Sequence, residues 1–335
     1  MMRTDRHSPP ADLHLRPYAG EPDVPAVVGI LNAELSADHI AERFTDGQVV
    51  AEYRHASAQF DPARDVTIVE INGRPVAFAE RSWVDTHGDD LREYRLGGSV
   101  HPDWRRRGIG RLLLADSERR QRELAASHDS SRPRVFGSWT TETQIGSRLL
   151  LEGAGYQPVR WFFDMVRPTL DEVVDLPLPA GLDVRPVTPE LVRPVWHAVT
   201  EAFRDHWGGH DDSDESLQRY LDDPATDISL WLMAFDGDEI AGGIINGIRP
   251  EENAILGVQR GWLYSVFTRR PWRRRGLARA MIARSLALLR ERGMTSAILG
   301  VDADNPTGAL GLYESAGFAV TQRSTAWRKP LDGGA

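Results

Sequence analysis

Cysteine is absent from the 335-residue chain, which removes disulfides, thiolate metal sites and a cysteine nucleophile from consideration. Lysine is almost absent: Lys329 is the one lysine among 40 basic residues. That arginine bias reflects a GC-rich genome and informs origin more than mechanism. No apolar run approaches the roughly 18 residues that a membrane helix needs. Met1 to Asp12 is polar and proline-bearing, without the apolar core of a signal peptide. A cytoplasmic protein with no membrane partner is therefore expected. The net charge of -9 argues against nucleic acid as the main partner, because phosphate contact needs a basic surface.

Against this acidic background one basic segment occurs twice. Arg105-Arg106-Arg107-Gly108-Ile109-Gly110 is echoed half the chain later by Arg273-Arg274-Arg275-Gly276-Leu277-Ala278, with Arg279 next. Each copy lies between a strand-like apolar run and a strongly helical one. Positive charge at a helix N-terminus opposes the macrodipole and is unfavourable unless an anion binds there. Glycine permits close backbone approach, and the free N–H groups of a helix start suit a phosphate. Duplication makes a solvated basic turn a poor explanation. Neither copy is G-x-G-x-x-G, and no G-x-x-x-x-G-K-[ST] is present, so dinucleotide and ATP loops are excluded.

The flanking elements repeat too, and the length suits two domains of about 160 residues. In the first half, Leu13–Pro17 reads as a strand, with helices over Val24–Leu35 and His39–His55. Asn72-Gly73 between Val66–Glu70 and Pro75–Trp83 is a two-residue hairpin signal. Arg92–Val100 is a strand, Ile109–Ala126 a helix, Arg134–Trp139 a strand, Thr143–Glu152 a helix and Tyr156–Val166 a closing strand. The second half repeats that order from Leu182–Pro186 to Phe318–Trp327. Expected are a first domain over 12–167, a proline- and acid-rich linker over 168–181 and a second domain over 182–330. The fold class is α+β, a duplicated unit rather than one large fold.

Val100-His101-Pro102-Asp103-Trp104-Arg105-Arg106-Arg107-Gly108-Ile109-Gly110 resembles the acetyl-CoA motif V-x-P-x-x-R-x-x-G-x-G/A of GNAT-type N-acetyltransferases. Thr268, Arg273, Gly276 and Ala278 take the corresponding places in the second half. Asn305 to Phe318 resembles the family's closing N-x-x-A-x-x-x-Y-x-x-x-G-F element. The resemblance spans about Leu13 to Lys329 and implies two tandem GNAT-like domains, each a mixed, mostly antiparallel sheet flanked by helices. It implies acetyl-CoA as co-substrate, with each loop gripping the pyrophosphate and Val266, Phe267 and Thr268 pairing with pantetheine. It also implies that Asn305 hydrogen-bonds the cofactor and that Tyr313 protonates the departing thiolate, a step a nearby phenol suits. In the first half Thr143, Ser147 and Leu151 stand where Asn305, Ala309 and Tyr313 stand in the second. The first copy is thus expected to hold a phosphate without the acid, and the second to acetylate.

The family's frequent glutamate base falls on Trp262 here. Other acceptor-side candidates are Glu201, Asp205, His206, His210 and Asp302, against the alternative of an ordinary polar loop and solvated strand end. A base acting through ordered water is equally open. Their spacing suits no metal. The expected acceptor is the primary amine of a small molecule, such as a cysteinyl thiol precursor or an antibiotic. A non-catalytic CoA sensor and a protein-directed acetyltransferase are the alternatives. A monomer or a homodimer is expected.

Overall fold

The computed structural model of the chain describes residues 10, 12–86, 88–204, 206–208, 213–305 and 308–331. It divides into two compact units, one running to Val159 and taken up again at Thr325, the other spanning Arg160–Ser324. In chain order the first unit contains β1 (Leu13–Pro17), α1 (Val24–Ala37), α2 (Asp46–Arg54), α3 (Pro62–Asp65), β2 (Val66–Ile71), β3 (Arg74–Asp85), β4 (Arg92–Val100), α4 (Ile109–Ala126), β5 (Arg134–Thr141) and α5 (Ile145–Gly153). Next comes β6 (Gln157–Arg167). The second unit continues with β7 (Leu182–Pro186), α6 (Val192–Phe203), α7 (Asp214–Asp222), β8 (Leu232–Asp236), β9 (Glu239–Ile248), α8 (Pro250–Leu256), β10 (Arg260–Thr268), α9 (Leu277–Glu291), β11 (Ser296–Asp302) and α10 (Ala309–Ser315). The final strand is β12 (Ala319–Pro330).

Each sheet is antiparallel except at one place. In the first unit β1, β2, β3 and β4 are consecutive antiparallel neighbours, and β4 runs parallel to β5. In the second, β7 to β10 repeat that order and β10 runs parallel to β11. The β2–β3 hairpin turns where expected, with φ of 52° at Asn72 and 72° at Gly73, the conformation a two-residue hairpin requires. The helix expected over His39–His55 starts later, at Asp46. Thr45 and Gln48 form a reciprocal capping box there, which satisfies the first N–H groups and fixes the start.

The units do not follow the expected boundaries of 167 and 182. β6, read as the closing strand of the first domain, pairs antiparallel with β11. Burial accounts for this: Met165 of β6 is fully buried in the second unit's cluster with Leu299 and Val301. Trp327 and Leu331 pack instead with Tyr94 and Phe136 of the first. Both sheets are covered on two faces. In the second, α9 seals one face over Ala241, Ile244 and Leu263, and α6 with α7 seals the other over Met233, Ile245 and Phe267. No described helix is long and apolar enough to cross a membrane.

Candidate active site

The two Arg-Gly loops have the same backbone. Arg106 and Arg274 both hold positive φ, 64° and 60°, and Gly108 and Gly276 follow at 79° and 85°. In each loop the tryptophan N–H donates back three residues, Trp104 to His101 O at 2.8 Å and Trp272 to Arg269 O at 3.0 Å. Neither α4 nor α9 has a side-chain cap at its N-terminus. Successive N–H groups through alternating αR and αL residues form an anion-binding concavity. A non-glycine residue in the αL region costs free energy, and such strain clusters at functional sites. Arg274, Arg275 and Gly276 are exposed, and a Cβ at Gly276 would meet nothing within 4 Å. The cradle is therefore open and fits a pyrophosphate.

The first arginine of each triplet does something else. Arg273 turns inward, its Nε donating to Thr268 O at 3.0 Å, as Arg105 Nε does to Val100 O at 3.4 Å. It ties the loop to the end of the preceding strand. Val266 and Thr268 are half-buried there, Phe267 is buried under α6, and Leu277, Ala278 and Arg279 open α9. In the first loop Val100 and Gly110 are half-buried, Ile109 is buried, and Arg107 lies over the Trp104 ring at 4.6 Å.

Beyond the loops the units diverge. β10 and β11 pair only over Arg260–Trp262 with Ser296–Ile298 and then part. Facing that split, the β9–β10 ladder shifts register between Leu263 and Ser265, so Tyr264 forms a bulge that frees backbone groups from the ladder. β4 shows no such shift against β3. Where β4 and β5 begin to separate, Ser138 Oγ donates to Leu96 O at 2.9 Å. Behind it the buried Glu34 of α1 hydrogen-bonds Ser99 and Gln144, and burial raises its pKa. Arg105 is held by both oxygens of Asp38, at 2.7 and 2.8 Å. The first unit's split is thus filled by its own side chains.

The closing helices end in the same hydrogen-bonded turn and differ in the side chain that precedes it by five residues, Leu151 in one and Tyr313 in the other. Tyr156 N–H donates to Leu151 O and Phe318 N–H to Tyr313 O, both at 3.0 Å. Gly155 and Gly317 stand before them at φ 88° and 84°. Leu151 and Tyr313 are both buried, at 4% and 7% exposure; Tyr313 packs beside Phe318, and burial alone pushes its phenol up to about 12. Asn305, half-buried, precedes α10 and accepts from Gly308 N–H at 3.3 Å. Pro306 and Thr307 lie outside the described residues.

The acceptor-side candidates separate. Glu201 pairs with Arg269 at 2.8 Å. Asp302 takes both Arg160 nitrogens, at 2.8 and 2.9 Å, and the Asp304 N–H at 3.0 Å. His206 sits against the Phe203 ring, 4.3 Å between centroids. Asp205 and His210 lie outside the described residues. Trp262 stacks on Tyr264 at 5.5 Å and 10°, and its Nε1 donates to Glu252 at 3.2 Å. Glu252 is fully buried beside Arg260, a carboxylate that sequence reasoning missed because it lies on the short α8.

Two antiparallel-to-parallel sheets, each splitting beside an uncapped helix start, define an acyl-CoA-type transferase built in tandem. The chain belongs to the acetyltransferase (GNAT) family, whose model matches residues 29–130 and 194–318. It is similar to the mycothiol acetyltransferase of Geodermatophilus obscurus, 27% identical over 310 residues, covering 91% of this chain and 94% of the relative. The mycothiol acetyltransferase of Salinispora arenicola is 28% identical over 338 residues, covering 95% and 92%. Among solved structures, a GCN5-related N-acetyltransferase from Sphaerobacter thermophilus is 25% identical with a TM-score of 0.72, covering 98% of each chain. A tandem GNAT protein from the clavulanic acid biosynthesis pathway matches at TM-score 0.67 and 19% identity, covering 96% of this chain and all of that one. The protein is thus an acyltransferase of tandem GNAT architecture.

Proposed function

We propose that the chain transfers the acetyl group of acetyl-CoA to the primary amine of a small molecule, and that the reaction takes place in the second unit. The observation that carries this is Tyr313, a buried phenol on α10 of the unit whose strands stand apart, where the first unit has Leu151 and a filled split. The Arg274–Ala278 loop receives the pyrophosphate on backbone N–H groups, with Arg274 and Arg275 adding charge. Arg273 holds that loop to Thr268. The thioester arm enters between β10 and β11, where the bulge at Tyr264 leaves backbone groups to meet it. A neutral amine attacks the carbonyl carbon, the C–S bond breaks, and Tyr313 protonates the thiolate. With its pKa pushed up to about 12, the phenol stays protonated throughout the physiological range, the state in which it donates. Transfer is direct in this reading, and the chain has no cysteine to form a thioester intermediate.

For the acceptor, the curated relatives named mycothiol acetyltransferase support a thiol precursor bearing a cysteinyl amine as the first compound to try. The test is thiol release from acetyl-CoA across a panel of small amines that includes it, run beside Tyr313→Phe. A steady rate with one amine, lost in the variant, is the expected result. Tight acetyl-CoA binding without turnover of any amine would indicate a sensor instead.

A further inference from the structure

We infer that Asp164, carried by β6, receives the proton of the acceptor amine in the second unit, so that the acceptor binds as its ammonium ion. The inference rests on the acetyl-transfer reading above.

β6 is the strand next to β11, with Asp164 opposite Gly300. Side chains alternate across a sheet. Met165 and Leu299 are buried on the α9 face, so Asp164 and Gly300 lie on the other face, which Trp262 shares because its neighbour Leu263 is also buried under α9. The β10–β11 pairing ends at Ile298. Gly300 is two residues further on, where those strands have parted. It is exposed, and a Cβ placed on it would stand 3.7 Å from Asp164 Oδ1. One carboxylate oxygen therefore reaches over bare backbone toward the split. The other accepts a hydrogen bond from Gln322 Nε2 at 2.9 Å.

Three other carboxylates of the second unit are occupied among the described residues. Glu201, Glu252 and Asp302 each face an arginine. Asp164 has one neutral donor, leaving Oδ1 without a hydrogen bond among the described residues. A half-buried carboxylate in that state favours an incoming cation, since burial penalises its charge until an opposite charge arrives. The groups facing its carboxylate are Gln322 of β12, Gly300 of β11 and the more distant positive charge of Arg260 on β10, while Thr321 donates to the Asp164 backbone carbonyl at 3.2 Å. Burial raises its pKa, and Gln322 and Arg260 act against that rise.

The step balances. An R–NH3+ group gives one proton to the Asp164 carboxylate, directly or through a water molecule, and becomes the nucleophile. Its nitrogen forms the C–N bond as C–S breaks, and Tyr313 gives its proton to sulfur. The second proton leaving nitrogen restores the phenol, and Asp164 returns its own to solvent. The net products are the amide, CoA thiol and one proton.

The test uses the whole chain with the fastest amine of the panel. Asp164→Asn should lower kcat/KM for the amine about 100-fold and remove the acid limb of its pH profile. Acetyl-CoA affinity should be unchanged, and Asp164→Glu should restore part of the rate. Gly300→Ala provides a second variant, because its methyl would make only ordinary contact with Oδ1 and leave the fold intact. It should raise KM for the amine roughly tenfold with little change in kcat. If the wild-type chain works while both the Asn and the Ala variants stay within threefold and keep the acid limb, the assignment of Asp164 is overturned alone. A wild-type chain that turns over no amine overturns the acetyl-transfer reading, and Asp164 with it.

Discussion

The loops after β4 and β10 place positive φ at the same two positions, yet the side chains beyond them differ. In the second unit the parting strands, the bulge at Tyr264 and the phenol of Tyr313 leave room and a proton for chemistry. In the first unit Ser138, Glu34 and Leu151 occupy the same region. A phosphate cradle depends on backbone geometry, which a few glycines and turns preserve. An acyl-transfer pocket depends on individual side chains and on a register shift, which single substitutions erase. On the proposed reading, the loop speaks to the kind of ligand and the split behind it to the unit that acts.

The sharpest way to break that comparison is at the closing helix. Tyr313→Phe removes a hydroxyl and leaves the packing against Phe318, so kcat should fall by 100-fold or more while the KM for acetyl-CoA stays near wild type. Leu151→Tyr in the first unit should leave turnover unchanged, because the split there is closed. A Tyr313→Phe enzyme with full kcat would remove the asymmetry altogether.

The cradles give the next largest effect. Reversing charge in the second loop, Arg274→Glu with Arg275→Glu, puts two carboxylates where a pyrophosphate is to bind. The KM for acetyl-CoA should rise by roughly tenfold to a hundredfold, and more at low salt. The matching pair Arg106→Glu and Arg107→Glu should change turnover less than twofold. Steady-state kinetics at two salt concentrations decides this. Equal losses from both pairs would mean that the first unit's cradle contributes to the reaction.

The turns and loop backbones of both units were legible because their signals are local. Gly276, Asn72-Gly73 and Gly317 state backbone demands within a few residues, and the structure meets them with positive φ at those positions. The late start of α2 depends on a side-chain exchange between Thr45 and Gln48, which the apolar pattern does not weigh. The partner of β6 was not legible at all. Its alternation requires a sheet with one buried face and does not say which sheet, so the strand was assigned to its neighbours in sequence. Asp164, proposed above as the proton acceptor, lies on that strand and so falls outside the candidates Trp262, Glu201, Asp205, His206, His210 and Asp302 that the sequence offers.

The smallest effect concerns stability and sharpens the comparison from the first unit. Glu80 on β3 accepts a hydrogen bond from the Tyr53 hydroxyl. Burial, and then the nearby Glu52, push its carboxyl from 4.5 up to about 7. The folded chain therefore binds more protons than the unfolded one between those values, and stability falls as pH rises through that window. Above pH 7 the full penalty is present, and below about 4.5 it is gone. Glu80→Gln keeps an acceptor for Tyr53 and cannot ionise. It should stabilise the protein at pH 8 by about 2 kcal/mol relative to its effect at pH 5, after allowance for partial solvent screening. Urea unfolding of both proteins at the two pH values measures this. A pH-independent difference would mean that the Glu80 carboxyl is ionised in the folded chain without penalty.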